Sequence, residues 1–303
     1  MTLPQPPTLS PDELMRLDQA VEAALQSGDE SGLQILGYGE ISSVIAWASG
    51  QDSVACKRLP VFVGVNEAGP FARYRSCFNR YLEILVERGV SPVASGLCVL
   101  PRGEGSLTVY CVQPRLDPAN LLHRRLQSLD KGAALELFDR LLEVILGVVD
   151  ARVGLDAQLS NWVLCGDELR YLDVTTPMLR GPDGADQMPV EVFLASLPWV
   201  LRGLVRRFML GGILDRYYEP RGAILDLLAN THKERLSHLL PAMLERANSR
   251  LSRPIERSEV DRYYASDARD WALLQRLRRL DRAWQRRVRR RPYGFILPGT
   301  INR

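Results

Sequence analysis

The chain has 303 residues, 46% of them hydrophobic and 25% charged, with a net charge of +3. That balance suits a globular protein of one large or two medium domains. No apolar run reaches the roughly 20 residues of a spanning helix, and the opening MTLPQPPTLSPDE lacks the basic and apolar stretches of a secretory leader, so a cytoplasmic protein with no membrane partner is expected.

Five cysteines (Cys56, Cys77, Cys98, Cys111, Cys165) are odd in number, irregularly spaced and mostly set in apolar runs, which points to reduced, buried thiols. Three histidines in no cluster argue against zinc. The charge is uneven. Residues 271–303 hold ten arginines against one aspartate, +9, which leaves −6 for the rest.

In chain order, residues 1–9 are Pro-rich. Ser10-Pro11-Asp12-Glu13 is a capping-box pattern with Pro at the first helical position. Leu14, Leu17, Val21, Ala24 and Leu25 then mark one face of a helix ending near Gly28. Residues 33–59 read as strand, glycine turn, strand, turn, strand, with Gly37, Gly39, Ser42 and Val44 in the first turn and Val54-Ala55-Cys56-Lys57 in the third strand. Glycines let backbone approach phosphates closely, and a lysine on a following strand can reach them.

A helix is predicted over 67–88, stopping at Gly89, with Glu83 and Glu87 on roughly one side. Strand-like runs follow at 93–100 and 107–112, then Gln113-Pro114-Arg115-Leu116. Asp117-Pro118 reads as a helix start. A long apolar-periodic helix is predicted over 131–152, and helices over 189–210, 221–229, 233–251, 258–268 and 269–290. No strand pattern is evident after residue 175. The last of these helices sets Leu273, Leu277, Leu280, Trp284 and Val288 on one face, expected to dock inward with its arginines solvated.

The stretch at 153–177, VGLDAQLSNWVLCGDELRYLDVTTP, carries the chemistry. Asp156 is followed five residues on by Asn161 and twelve beyond that by Asp173. Two short apolar runs between them, parted by Gly166-Asp167-Glu168, read as a tight hairpin with an amide at its entry and a carboxylate at its exit. An Asp able to meet a hydroxyl proton, with an Asn and an Asp able to hold a hard cation, is equipment for phosphoryl transfer.

In this order and spacing the motifs resemble the protein-kinase-like superfamily, closest in style to the aminoglycoside and choline kinases, over residues 33–177. The resemblance implies a two-lobed α+β fold: a leader at 1–30, an N-lobe of antiparallel sheet and helix at 31–115, and a mainly helical C-lobe at 116–303. It implies nucleotide binding by Gly37, Gly39, Ser42, Val44, Ala55, Lys57, Glu83 and Gln113. Asp156 becomes the catalytic proton acceptor, Asn161 and Asp173 the Mg²⁺ ligands, and Glu83 the helix partner of Lys57.

Two departures stand out. Gly154 occupies the usual histidine position, and Asp173-Val174-Thr175 replaces Asp-Phe-Gly. With no Ala-Pro-Glu segment after Asp173, the expected reaction moves phosphate from Mg-ATP or GTP to a small-molecule hydroxyl, on an antibiotic, nucleoside or other natural product. Acids at 183, 186, 215 and 219 are candidates for the acceptor pocket. A protein kinase and a nucleotide-binding pseudokinase or scaffold stay open as alternatives, as does a homodimer. No nucleic-acid partner is expected.

Overall fold

The computed structural model describes residues 3–38, 43–50, 52–63, 69–103, 105–189, 194, 214–291 and 293–297. It is an α+β protein with an antiparallel sheet and several helices.

Helix α1 (Pro11–Ser27) starts where the sequence signals it. Ser10 Oγ accepts from Glu13 N–H at 3.3 Å, and the Glu13 carboxylate accepts from Ser10 N–H at 2.8 Å. Two otherwise orphaned donors are thereby satisfied. Gly28, left-handed with φ 77°, stops the helix.

Strands β1 (Ile35–Tyr38), β2 (Ser43–Ser49), β3 (Asp52–Arg58), β4 (Phe62–Val63), β6 (Gly96–Arg102) and β7 (Ser106–Pro114) form one sheet in the order β1-β2-β3-β7-β4, with β6 also on β7. All its pairings are antiparallel. Because side chains alternate along a strand, Ile45, Val54, Cys56, Tyr110 and Val112 turn to one face, which α1 covers with Leu17, Val21 and Leu25. Buried Asp18 pins α1 there, accepting from Tyr110 OH at 2.9 Å and Arg102 Nη2 at 2.6 Å. The segment 293–297 lies on the same side: Ser43 Oγ donates to the Ile296 carbonyl at 3.4 Å, beside a small hollow lined by Val21, Ile45, Leu59 and Phe295.

Helix α2 (Pro70–Glu87) buries Tyr74, Cys77, Phe78, Tyr81, Leu82 and Leu85. After β7, a 3-10 turn at Pro118–Asn120 leads into α3 (Leu122–Ser128) and α4 (Lys131–Val148), which Asp130 caps through Ala133 N–H at 3.0 Å. Strands β8 (Trp162–Cys165) and β9 (Glu168–Tyr171) make the expected hairpin around Gly166, which takes φ 61° in the turn. The two-residue strand β5 (Ser91–Pro92) joins β9 in parallel. Helices α5 (Pro220–Asn230), α6 (Leu240–Asn248) and α7 (Arg257–Arg287) follow. One apolar core runs from α2 and β7 through α3 and α4 to α5, α6 and the start of α7.

Two expectations change, and a third falls mostly on residues not described. The helix expected over 189–210 lies outside the described residues except at 189 and 194. The one expected over 233–251 shrinks to α6, because 231–239 form turns. The helices expected over 258–268 and 269–290 are one continuous helix, α7, and its burial is inverted. Val260, Gln275 and Arg278 are its buried residues, while Leu273, Leu280, Trp284 and Val288 are exposed and Leu277 is half-buried. Continuity is the reason. Val260 faces the core, and Arg278 stands about five full turns further on, over the same side. Without a break near residue 268, the leucines cannot rotate inward.

All five cysteines are free. Burial pushes the thiols of Cys56, Cys77 and Cys111 up to about 12, so they are protonated packing groups.

Candidate active site

Strand β3 carries Lys57 opposite Val44 on β2 and Cys111 on β7, and Val44 in turn pairs with Gly37. Ala55 lies two residues earlier, opposite Gln113. Alternation therefore places Val44, Ala55, Lys57 and Gln113 on the sheet face away from α1. Gly39 and Ser42 lie outside the described residues.

Asp173 follows β9 and meets this face. Lys57 Nζ donates to Asp173 Oδ1 at 2.8 Å, and Thr175 Oγ1 donates to the same oxygen at 2.9 Å. Burial pushes the Asp173 pKa up, but the Lys57 charge and the Lys57 and Thr175 hydrogen bonds outweigh it. The net shift is downward and the carboxylate is ionised.

The residue before Asp173 is held from two sides. Leu172 N–H donates to the Asn161 carbonyl at 2.8 Å, and Gln113 Nε2 donates to the Leu172 carbonyl and to Ser95 Oγ, both at 2.9 Å. Asn161 Nδ2 donates to the Asp156 carbonyl at 3.2 Å, and Asp156 Oδ1 accepts from Gln158 N–H at 3.3 Å. Asn161 thus ties the Asp156 backbone to Leu172, the residue before Asp173, and Lys57 meets Asp173 from across the sheet. Beneath them lie Tyr81 and Tyr171. Burial is the main cause that raises both phenols above their ordinary range, followed by the Asp173 and Asp156 charges at Tyr81, and by Tyr81 and then the Asp156 and Asp173 charges at Tyr171. Both carboxylates are therefore close to the same buried pair.

Gly154 is required by space. A Cβ there would stand 2.9 Å from Met178 Cβ and 3.2 Å from the Tyr217 carbonyl oxygen, so no histidine fits. Tyr81 OH donates to the Gly154 carbonyl at 2.9 Å, and Gly154 N–H bonds the Met178 carbonyl at 3.0 Å, which together anchor the loop backbone.

Glu83 is a correction. It pairs with Arg80 at 3.0 Å, as does Glu87, on the exposed side of α2. The helix turns Tyr74, Phe78 and Tyr81 inward, and Glu83 falls off that stripe. Tyr74 OH reaches the Thr175 carbonyl at 2.9 Å, and the carboxylate beside Lys57 is Asp173.

Two further residues join the site from a turn 75 positions along the chain. Lys233 Nζ donates to Gln158 Oε1 at 2.6 Å, two residues past Asp156, and its charge also acts on the buried carboxyls of Glu234 and Asp226. Glu234 is buried, accepts from Ser160 N–H at 3.1 Å through Oε1, and leaves Oε2 without a hydrogen bond among the described residues. Burial is the main cause of its pKa being pushed up to about 7. No local motif announces either residue, because Lys-Glu after a helix is ordinary surface composition.

The acids offered for an acceptor pocket are mostly engaged. Arg180 bonds Asp186 at 3.0 Å and Asp215 at 2.5 Å while stacking 3.8 Å from the Tyr218 ring. Asp183 caps Ala185 N–H at 3.1 Å. Glu219 precedes α5 without a side-chain cap.

The donor set suits Mg²⁺. Asn161 Oδ1 and Asp173 Oδ2 are hard oxygens, each on a side chain whose other polar atom is already bonded. Among the described residues no group of three or more His, Cys, Asp and Glu could hold a metal. A cation that keeps several waters and takes one or two side-chain ligands plus substrate phosphates needs no larger cage.

Fold and site define an α+β protein with an acid–amide–acid cluster set against a strand lysine. The chain belongs to the family described as "Family of unknown function (DUF6206)", which matches residues 16–282. No curated protein matches it. Among solved structures it is similar to a chain described as "WaaP in complex with acyl carrier protein", at 16% identity and a TM-score of 0.34, over 82% of this chain and 99% of that one.

Proposed function

We propose that the protein is a phosphotransferase. It moves the γ-phosphate of Mg-bound ATP or GTP to the hydroxyl of a small molecule such as an antibiotic, a nucleoside or another natural product. One observation carries the reading: Lys57 and Asp173 meet at 2.8 Å in front of a loop that also holds Asp156 and Asn161. A strand cation, a metal-type carboxylate, a metal-type amide and a proton-accepting carboxylate are the parts that phosphoryl transfer requires.

Each residue then has a task. Val44 and Ala55 give the nucleotide an apolar wall, and Lys57 holds its phosphates. Asn161 and Asp173 would ligate Mg²⁺, which supplies positive charge to the phosphate oxygens. Asp156 orients the acceptor hydroxyl and takes its proton as the oxygen bonds phosphorus and the bond to the leaving nucleoside diphosphate breaks. Gln113 fixes Leu172 and so the direction of Asp173.

A nucleotide-binding pseudokinase is the second reading. It is favoured by one observation, the helix α2 face beside the site, which presents Tyr74 and no carboxylate.

Thermal shift and calorimetry with ATP and GTP, with and without Mg²⁺, test the site, since a ligand of the folded state raises its stability. Magnesium-dependent binding that weakens in Asp173→Asn is expected. Slow nucleotide hydrolysis that disappears in Asp156→Ala separates the enzyme from the pseudokinase. No nucleotide binding at all removes both readings.

A further inference from the structure

Helix α7 shows each side the opposite of what simple packing requires. Its buried stripe includes Gln275, whose Nε2 and Oε1 both lack a hydrogen-bond partner among the described residues. Its outer face exposes Leu273 by 57%, Leu280 by 67%, Trp284 by 48% and Val288 by 56%. From Leu273 to Val288 this stripe runs about 22 Å along the helix. Exposed Arg276, Arg279 and Arg287 stand among these side chains, and Arg289, Arg290 and Arg291 follow them. The helix cannot simply roll over: Arg286 Nη2 holds the Leu25 carbonyl at the end of α1 at 2.9 Å, and Arg221 clamps Glu259 near the start of α7 at 2.6 Å.

We propose that this outer face of α7 docks on an anionic lipid surface, lying in the headgroup layer with Leu280 and Trp284 inserted and the arginines among lipid phosphates. The inference is independent of the phosphotransferase reading. It also revises the expectation of no membrane partner, which rested on spanning segments; a helix lying in the interface needs none.

Charge selects the occupant. The last 33 residues carry +9 against −6 elsewhere, so the surface is complementary to anions and repels a second copy of itself. Nucleic acid would use the arginines and leave the Leu and Val stripe without a role. An acidic protein would need a groove shaped to alternating apolar and cationic side chains. A bilayer interface accepts that mixture without shape complementarity. Trp is favoured at the headgroup level, and long cationic side chains reach the phosphates from a buried stem.

Co-sedimentation of the full chain with vesicles of phosphatidylcholine alone, and with added phosphatidylglycerol, tests this. Retention on the anionic vesicles only, weakened by salt, is expected. The surface double variant Leu280→Glu/Trp284→Glu and the variant Arg276→Glu/Arg287→Glu should each lose about tenfold or more in apparent affinity. Tryptophan emission should move to shorter wavelength on vesicles in the wild type and less in Trp284→Phe.

No retention of the wild-type chain on anionic vesicles overturns the proposal whatever the variants do. Unchanged retention of Leu280→Glu/Trp284→Glu overturns it in favour of a purely phosphate-directed surface. A lipid-free dimer that this variant dissolves in ultracentrifugation overturns it in favour of a second copy.

Discussion

Lys57 and Asp173 are 116 residues apart in the chain and 2.8 Å apart in space, and they join the sheet to the hairpin loop. Their side chains are only 15% and 26% exposed, so each leaves the other costly if removed. Asp173→Asn should cost about 1–3 kcal/mol of stability at neutral pH. The pair also sets an acid limb. The folded-state pKa of Asp173 lies below its ordinary 3.8, so its contribution is present above that value and is lost as pH falls through the folded pKa. Denaturant titrations across the acid range should show Asp173→Asn lacking that part of the wild-type decline. Parallel profiles would remove the pair from the account.

Local signals in the sequence were enough for α1 and for the hairpin. Ser10 and Glu13 interact within one turn, and Gly166 closes strands only four residues long. Gly37 and Val44, which the sequence places in one turn, instead face each other on β1 and β2, with Lys57 next to Val44 on β3: a glycine pattern marks a turn but not how far the strands run into it. Glu83 was not legible either. Two acids on a helix look alike until the aromatic stripe of Tyr74, Phe78 and Tyr81 decides which side is buried. The α7 inversion was hidden for a related reason: an apolar stripe states that a face exists, and only packing at Val260 and Tyr263 sets which way it points. Lys233 and Glu234 reach the loop through tertiary contact alone.

Glu234 should give the protein an unusual pH response near neutrality. Its carboxyl is buried with one oxygen unpartnered among the described residues, and its pKa is pushed up to about 7 from an ordinary 4.5. For an acid with a raised folded pKa the sign is the reverse of Asp173. The folded state is unpenalised below about pH 4.5 and loses stability as pH rises toward 7, where the buried charge forms. Glu234→Gln keeps an oxygen for Ser160 N–H and removes the charge. It should match wild type near pH 4 and exceed it at pH 8 by on the order of 2 kcal/mol. Melting temperatures of the two proteins across that interval check it; a difference that does not grow with pH refutes it.

Lys233 should affect turnover more than nucleotide affinity. It places an ammonium group beside Gln158, two residues past Asp156, where its hydrogen bond goes to a neutral amide and the nearby acids Glu234 and Asp226 feel its charge. A cation so placed can stabilise charge that develops on the transferring phosphoryl group. Lys233→Met should lower the rate of nucleotide hydrolysis by about ten- to a hundredfold while ATP affinity changes little. Lys233→Arg, which keeps the charge, should recover part of the rate. Equal loss in both variants would assign Lys233 to holding the loop rather than to charge.

The anchor under the loop is open to the mildest test. Tyr81 OH meets the Gly154 carbonyl at 2.9 Å in a buried site. Tyr81→Phe removes one hydroxyl, leaves the ring packing intact, orphans the Gly154 carbonyl and the Tyr171 hydroxyl, and should cost about 1–3 kcal/mol of stability. Gly154→Ala adds a methyl group 2.9 Å from Met178 Cβ and should cost about 1–3 kcal/mol, because the neighbours are packed. Both changes act on the backbone just before Asp156. The reduction in hydrolysis rate should therefore exceed any reduction in nucleotide affinity, which the Lys57 face of the sheet controls. Calorimetric affinity and steady-state hydrolysis measured on the same two variants decide it. If affinity falls as far as rate, Tyr81 supports the whole fold rather than the geometry of Asp156.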